Sequence, residues 1–238
     1  MTRELVYGRR PVREVVRAGK RQVLELLVTE RALAAEPWLR EIPGLRLQVG
    51  PERRLNDVAG TMDHQGVVAF CEPYRYADAH ELAGGERPLL ACLDQVTDPH
   101  NLGAVCRSAE GAGASGVVVT ERNAARVTPA VCKASAGAVE HVPVALVVNL
   151  ARFLEEIKGP QVWVWAAAGD AETPVWSADF SSGTVLVFGA EGRGLRPGVR
   201  RVCDDAFAVP LAGSIESLNV SVAAGVALFE AARQRRGA

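Results

Sequence analysis

Three short segments of the chain concentrate residue types that can do chemistry. The first runs Asp94-Gln-Val-Thr-Asp-Pro-His-Asn101 and continues to Arg107 and Glu110. An amide, a guanidinium and a carboxylate so spaced could bind a phosphate or a hydroxyl, or else form a capped helix with an exposed Arg107–Glu110 pair, Asn101 sitting at the cap position. The second, Gly189-Ala-Glu191-Gly192-Arg-Gly194-Leu, holds one carboxylate among three glycines, which suits a backbone that must approach a ligand closely. It is neither a phosphate-binding P-loop nor the dinucleotide pattern. The third is Val209-Pro-Leu-Ala-Gly-Ser-Ile-Glu-Ser217-Leu218-Asn219-Val-Ser221, where Ser217 and Asn219 can cap a helix and leave backbone N–H groups for a ligand.

Each segment follows an apolar run that reads as a strand. Strands are expected at Leu89–Leu93, Val117–Thr120, Val142–Val144, Val162–Ala167, Val185–Phe188 and Ala206–Val209. Helices are expected near Leu102–Gly111, Pro129–Ala138, Leu150–Lys158 and Leu218–Arg235. Short Val-rich strands alternating with helices predict a parallel sheet covered on both faces, with ligands at the carboxyl ends of the strands. Ahead of it, a helix from Pro11 to Gly19, strands at Val23–Val28, Leu45–Val49 and Val67–Phe70, and helices at Ala32–Arg40 and Glu52–Ala59 predict a smaller α/β unit. The expected division is residues 1–72, a linker over 73–87 within the stretch Glu72–Pro88, which holds two prolines and Gly84-Gly85, and residues 88–238.

The 238 residues suit one large or two modest domains, and 48% hydrophobic residues exclude a disordered chain. No apolar run approaches the roughly 20 residues that span a bilayer. The basic first residues lack a signal-peptide core, so a cytoplasmic protein is expected. Five scattered cysteines, none in a Cys-x-x-Cys pair, read as reduced thiols. No histidine has a spaced partner, so no metal is expected. Formal charge is −1, which disfavours nucleic acid only on average. Residues 1–21 carry seven basic side chains, and Arg233, Arg235 and Arg236 close the chain.

Taken together, Asn101 with Arg107, Gly189-x-Glu191-Gly192-x-Gly194 and Ser217-Leu-Asn219-Val-Ser221 resemble the SPOUT superfamily of RNA methyltransferases in its SpoU branch. Tyr7-Gly8, His64-Gln65-Gly66 and Lys133-Ala-Ser-Ala-Gly-Ala138 resemble the branch's two-domain guanosine 2′-O-methyltransferases of 23S ribosomal RNA. The resemblance implies a C-terminal parallel-sheet domain tied in a deep trefoil knot, preceded by a small α/β ribosomal-protein-like RNA-binding domain. It implies S-adenosyl-L-methionine as cofactor, a homodimer and a structured RNA as partner. The expected reaction is transfer of a methyl group to a ribose 2′-hydroxyl. Other readings are a tRNA or another rRNA site, including antibiotic-resistance methylation, or a non-catalytic ribosome-assembly factor.

By motif match, Gly189, Val209 and Leu218 should contact the cofactor, with Gly192, Ala168 and Gly169 lining its pocket. Arg107 is placed at the reacting hydroxyl, with Asn101, Glu191, Ser217 and Asn219 around it. A guanidinium is a poor base because its pKa exceeds about 12. Arg107 is therefore expected to hold a phosphate and stabilise the alkoxide, while a phosphate oxygen or Glu191 relays the proton. Arg9, Arg10 and Arg13 are the expected RNA contacts, and Val222, Val226 and Phe229 the expected dimer face.

Overall fold

The computed structural model describes residues 2–42 and 44–236. In chain order the first elements are β1 (Glu4–Tyr7), α1 (Arg9–Ala18), β2 (Val23–Val28), α2 (Glu30–Ala35), β3 (Arg46–Val49), α3 (Glu52–Ala59) and β4 (Val67–Cys71). There follow α4 (Ala79–Ala83), β5 (Leu89–Asp94), α5 (Pro99–Ala112), β6 (Gly116–Thr120), α6 (Pro129–Ala134), β7 (Val144–Val147) and α7 (Leu150–Ile157). The chain closes with β8 (Val162–Ala167), β9 (Gly183–Gly189), α8 (Pro197–Arg201), β10 (Asp205–Phe207) and α9 (Val220–Arg236).

Two compact units result, and they do not follow a single cut along the sequence. The first comprises Met1–Arg75 together with Val127–His141; the second comprises Tyr76–Arg126 and Val142–Ala238. In the first unit β1-β4-β2-β3 form one sheet, antiparallel except for the parallel pair β2 and β3. Leu27, Leu55 and Val68 form a small core beneath it. The expected Ala32–Arg40 helix is two pieces, because Pro37 cannot continue α2 and instead opens a 3₁₀ turn, Pro37–Arg40. β1 was not expected; four residues are too few for a visible alternation.

The segment 127–141 is held in this unit by a buried ion pair. Arg21 donates from Nη2 and Nε to the two carboxylate oxygens of Glu140, and both side chains are within a few per cent of fully buried. Arg21 also reaches Glu4 at 3.3 Å and lies over the Tyr74 ring. Burial by itself would lower the Arg21 pKa, but the hydrogen bond and charge of Glu140 outweigh it and the net shift is upward. Beside the pair, burial pushes the Cys132 thiol up to about 12, so it stays a thiol.

The second unit is a six-stranded, wholly parallel sheet ordered β10-β8-β9-β5-β6-β7. Its core draws Leu90, Cys92, Val118, Val164, Val185 and Val187 from the strands and Leu150, Phe153 and Leu154 from α7. Removing one such side chain, as in Phe153→Ala, would cost about 3–5 kcal/mol. The parallel α/β architecture is borne out, although the strand expected at Val142–Val144 lies at Val144–Val147 and the helix expected over Pro129–Ala138 ends at Ala134. Residues 73–87 carry an N-capped helix, α4, with Ala79 and Ala83 in this core, and Ala77 bridges to Ala145.

Candidate active site

Four adjacent strands, β10, β8, β9 and β5, end on one edge of the sheet, and the loops that leave them build the site. The loop after β9 is the most constrained. Gly194 N–H donates to Ala190 O at 2.8 Å, closing a tight turn in which Gly192 and Gly194 both have positive φ. A Cβ on Gly189 would overlap the carbonyl of Gly194, so only glycine fits there. The turn is pinned at its far end by Arg196, whose N–H and guanidinium make contacts of 2.9, 2.8 and 2.7 Å to the fully buried carboxylate of Asp94 at the end of β5. Neither residue was singled out from the sequence.

That pinning sets Glu191 against two amides. Asn101 Nδ2 donates to Glu191 Oε1 at 3.2 Å, and Asn219 Nδ2 donates to the same oxygen at 2.6 Å. Asn219 Nδ2 also reaches Asn101 Oδ1 at 3.0 Å, which closes a triangle. The orientation of the Asn219 amide follows from its other end, because Oδ1 accepts from the N–H and the hydroxyl of Ser221. Asn219 thus caps α9, as expected, and no cap bond from Ser217 occurs among the described residues. Asn101 is not a cap. Asp98 takes that position at α5, accepting from His100 N–H at 2.8 Å with Pro99 first in the helix, and Asn101 lies inside the first turn.

Two cavities share Glu191 of this triangle as part of their lining. The larger, about 1100 Å³, is lined by the loops after β8, β9 and β10. Ala168, Gly169, Gly189, Gly192, Val209 and Leu218 all line it, and so does the exposed Ser217. At Gly169, Gly192 and Gly213 an added Cβ would meet nothing within 4 Å, so the main chain there is open to a ligand. A cleft of that volume walled by bare backbone fits a cofactor held through main-chain groups. The smaller cavity, about 520 Å³, is bordered by Gln95–Asp98, Asn101 and Asn123. Ala190, Glu191, Arg193 and Val220 line both.

Arg107 does not join the triangle. Six residues along a helix turn the side chain about 120° away from Asn101, and Arg107 lines neither cavity. It is exposed on α5 and makes no hydrogen bond or ion pair among the described residues, Glu110 included. α5 packs on α9, where Gly111 meets Phe229 and Gly225 meets Ser108. On α9, Ala224, Ala227, Leu228 and Ala231 face inward, whereas Val222 and Phe229 are about half exposed and Val226 partly buried.

In the first unit, Arg10 and Arg13 are exposed without ion pairs among the described residues, Arg13 standing 6.0 Å from the Trp38 ring. Arg9 donates to Gln65 O at 3.1 Å and borders a cavity of about 880 Å³ shared with Arg31 and Gly50. The basic C-terminus is not a free patch. Arg235 donates to four backbone carbonyls, those of Phe180, Arg87, Pro88 and Ser182, and Arg233 pairs with Glu230 at 2.7 Å. Among the described residues no three His, Cys, Asp or Glu side chains are grouped to hold a metal, and no helix is long and apolar enough to cross a membrane.

Comparison with known proteins agrees with this geometry. The model of the SpoU rRNA Methylase family matches residues 88–229, and that of the RNA 2′-O ribose methyltransferase substrate-binding family matches residues 5–77. The chain is 40% identical to the 23S rRNA (guanosine-2′-O-)-methyltransferase RlmB of Vibrio cholerae over 99% of this chain and 98% of that protein. It is 48% identical to the protein of the same name from Ralstonia nicotianae over 82% and 80% of the two chains. Among solved structures, the SpoU methyltransferase AviRb of Streptomyces viridochromogenes in complex with AdoMet superposes with a TM-score of 0.84 at 28% identity, covering 99% and 92% of the chains. With its glycine turn, its two flanking amides and matches along nearly its whole length, the chain belongs to the SpoU rRNA methylase family.

Proposed function

We propose that this protein transfers a methyl group from S-adenosyl-L-methionine to the ribose 2′-hydroxyl of a guanosine in 23S ribosomal RNA. The observation that carries the reading is Glu191, which lines both cavities and is held there by the amides of Asn101 and Asn219. Methyl transfer requires two ligands to meet at one place, and Glu191 stands at such a place. S-adenosylmethionine, when bound, supplies an electrophilic methyl on its sulfonium. Ala168, Gly169, Gly189, Gly192, Val209 and Leu218 would hold it, chiefly through main-chain groups. Full-length relatives named for 23S rRNA favour that substrate over tRNA.

Glu191 is the group that takes the proton. Its Oε1 is occupied by two amide donors, which fix the carboxylate and leave Oε2 to accept from a ribose hydroxyl. Asn101 and Asn219 therefore position rather than react, and Ser217 stands on the cofactor side. Arg107 acts in the site of a second subunit of a homodimer, holding a phosphate and stabilising the developing alkoxide. Two features support this: its guanidinium, unpaired among the described residues, lies outside its own site, and α9 beside α5 exposes Val222 and Phe229.

Residues 1–72 bind the RNA, with Arg9, Arg10 and Arg13 at phosphates, residues 73–87 lead on, and residues 88–238 carry out transfer. The trefoil knot of the family belongs to that last part, where residues 209–219 lead into α9. No metal is needed for attack on a sulfonium, and the protein works in the cytoplasm. The test is incubation of unmodified 23S rRNA with labelled S-adenosylmethionine, followed by mass-spectrometric mapping. A 2′-O-methylguanosine that disappears with Glu191→Gln supports the reading; label at a base nitrogen or carbon overturns it.

A further inference from the structure

The smaller cavity has a feature the transfer chemistry does not explain. Among the described residues, four non-glycine positions have positive φ, and two of them, Gln95 (φ 59°) and Asn123 (φ 56°), border this one cavity. The left-handed conformation is disfavoured for residues with a Cβ, asparagine excepted in part, and such strain gathers where a side chain must be aimed. Gln95 leaves the carboxyl end of β5, and Asn123 lies in the loop that follows β6. The two loops are stapled by Ala125 N–H donating to Val96 O at 2.8 Å, so their geometry is common. Neither side-chain amide has a hydrogen-bond partner among the described residues, and Asp98, at the cap of α5, lines the same cavity with only Oδ1 bonded among those residues.

We infer that this cavity is a base-reading subsite, in which Gln95, Asn123 and Asp98 contact the edge of the target guanine while its ribose faces Glu191. The inference rests on the 2′-O-transfer reading above and adds the residues that choose the nucleotide. Guanine presents N1–H and N2–H donors beside the O6 acceptor; a carboxylate accepts the donors, and a carboxamide can donate to O6. Adenine reverses the pattern, turning its N1 lone pair toward the carboxylate, so the same groups that favour guanine disfavour adenine. Single-stranded or splayed RNA bases are read on this edge. Asn101 and Glu191, on the inner wall, then receive the sugar.

The test uses the full chain and 23S rRNA transcripts carrying guanosine or adenosine at the mapped position. Gln95→Gly and Asn123→Gly keep the left-handed backbone and delete the amides, while Asp98→Ser keeps the helix cap and deletes the carboxylate. The expected result is a guanosine-over-adenosine ratio of kcat/KM that falls at least tenfold in each variant, with unchanged affinity for S-adenosylmethionine. Variants that retain the wild-type ratio overturn the inference, as does a wild-type enzyme that methylates both transcripts equally. If wild-type product carries no 2′-O-methyl, both this inference and the reading beneath it fail, and the mapping shows which happened.

Discussion

Arg196 and Asp94 are 102 positions apart in the chain and joined by two hydrogen bonds, one from the main chain and one from Nε, and by an ion-pair contact from Nη2 at 2.7 Å. The carboxylate is fully buried at the end of β5, and the arginine is the residue at which the glycine turn rejoins the fold. The pair therefore sets where Glu191 stands without touching either cavity's ligand.

Arg196→Ala should leave Asp94 buried and unpaired and let the turn drift. A fall in kcat of at least tenfold is expected, with a smaller change in KM for RNA, measured by steady-state methylation. Arg196→Lys should recover little, because one ammonium cannot reproduce the paired approach of Nε and Nη2 to Asp94 Oδ1. Equal loss of kcat and thermal stability, with normal kcat at low temperature, would assign the pair to folding alone.

Arg107 in the partner's site predicts complementation. Arg107→Ala and Glu191→Gln should each be inactive, yet an equimolar mixture allowed to exchange subunits should regain about a quarter of wild-type activity, because half the dimers are mixed and one site in each is whole. An inactive mixture, with exchange verified by native mass spectrometry, would place Arg107 in its own subunit's site or nowhere in the reaction.

Gly189→Ala tests the closeness of the turn. The added methyl meets the Gly194 backbone rather than a movable side chain. Affinity for S-adenosylmethionine should drop by tenfold or more in calorimetry, about 1.4 kcal/mol per factor of ten. Gly213→Ala, where a Cβ meets nothing within 4 Å of protein, serves as the contrast for a purely ligand-directed effect.

Breaking the buried pair by Glu140→Ala leaves Arg21 buried with only the partly exposed Glu4, at 3.3 Å, as an ionic partner. A loss of about 3–5 kcal/mol is expected in denaturant unfolding. The double variant Arg21→Met with Glu140→Met should be more stable than Glu140→Ala, since two apolar side chains leave no orphaned charge.

His64 supplies a pH dependence. Its ring is fully buried, Nδ1 accepting from Gly66 N–H at 2.9 Å and Nε2 lying 2.6 Å from Asn56 Oδ1, so the neutral form is the one bonded. Burial lowers its pKa. The unfolded chain therefore takes up the proton first, near the ordinary value of about 6.5, and stability contributed by the neutral ring is lost as pH falls below it. Melting temperature between pH 7.5 and 5.5 should fall more steeply for the wild type than for His64→Gln.

Most strands, the longest helices and the three loops were legible because each leaves a local trace: apolar runs, capping residues, glycines around an acid. Of the six cofactor positions the resemblance implied, four lie in those loops and Ala168 and Gly169 follow β8, and all six border the larger cleft. What was not legible is relational. Nothing near Asp94 in sequence announces Arg196, and Asn101 looks like a cap until Asp98-Pro99 is seen to begin the helix one turn earlier. Arg107 shares a motif with Asn101 but not a helix face, which spacing within a loop of unknown boundary could not reveal. The basic C-terminus suggested a patch for RNA because charge is visible in a string while the carbonyls that occupy Arg235 are not.

The segment 127–141 lies within the stretch that matches the methylase family, yet it folds with the N-terminal unit through Arg21 and Glu140. The backbone consequently passes from one unit to the other three times rather than once. Swapping RNA specificity between relatives by exchanging everything before residue 73 would sever this interleaving and set Glu140 against a foreign N-terminal part. A chimaera that is to fold must carry residues 127–141 with the donor's N-terminal part. The recognition half of such an enzyme is thus not a detachable cassette, and its inheritance is constrained at a site that no linear domain map marks.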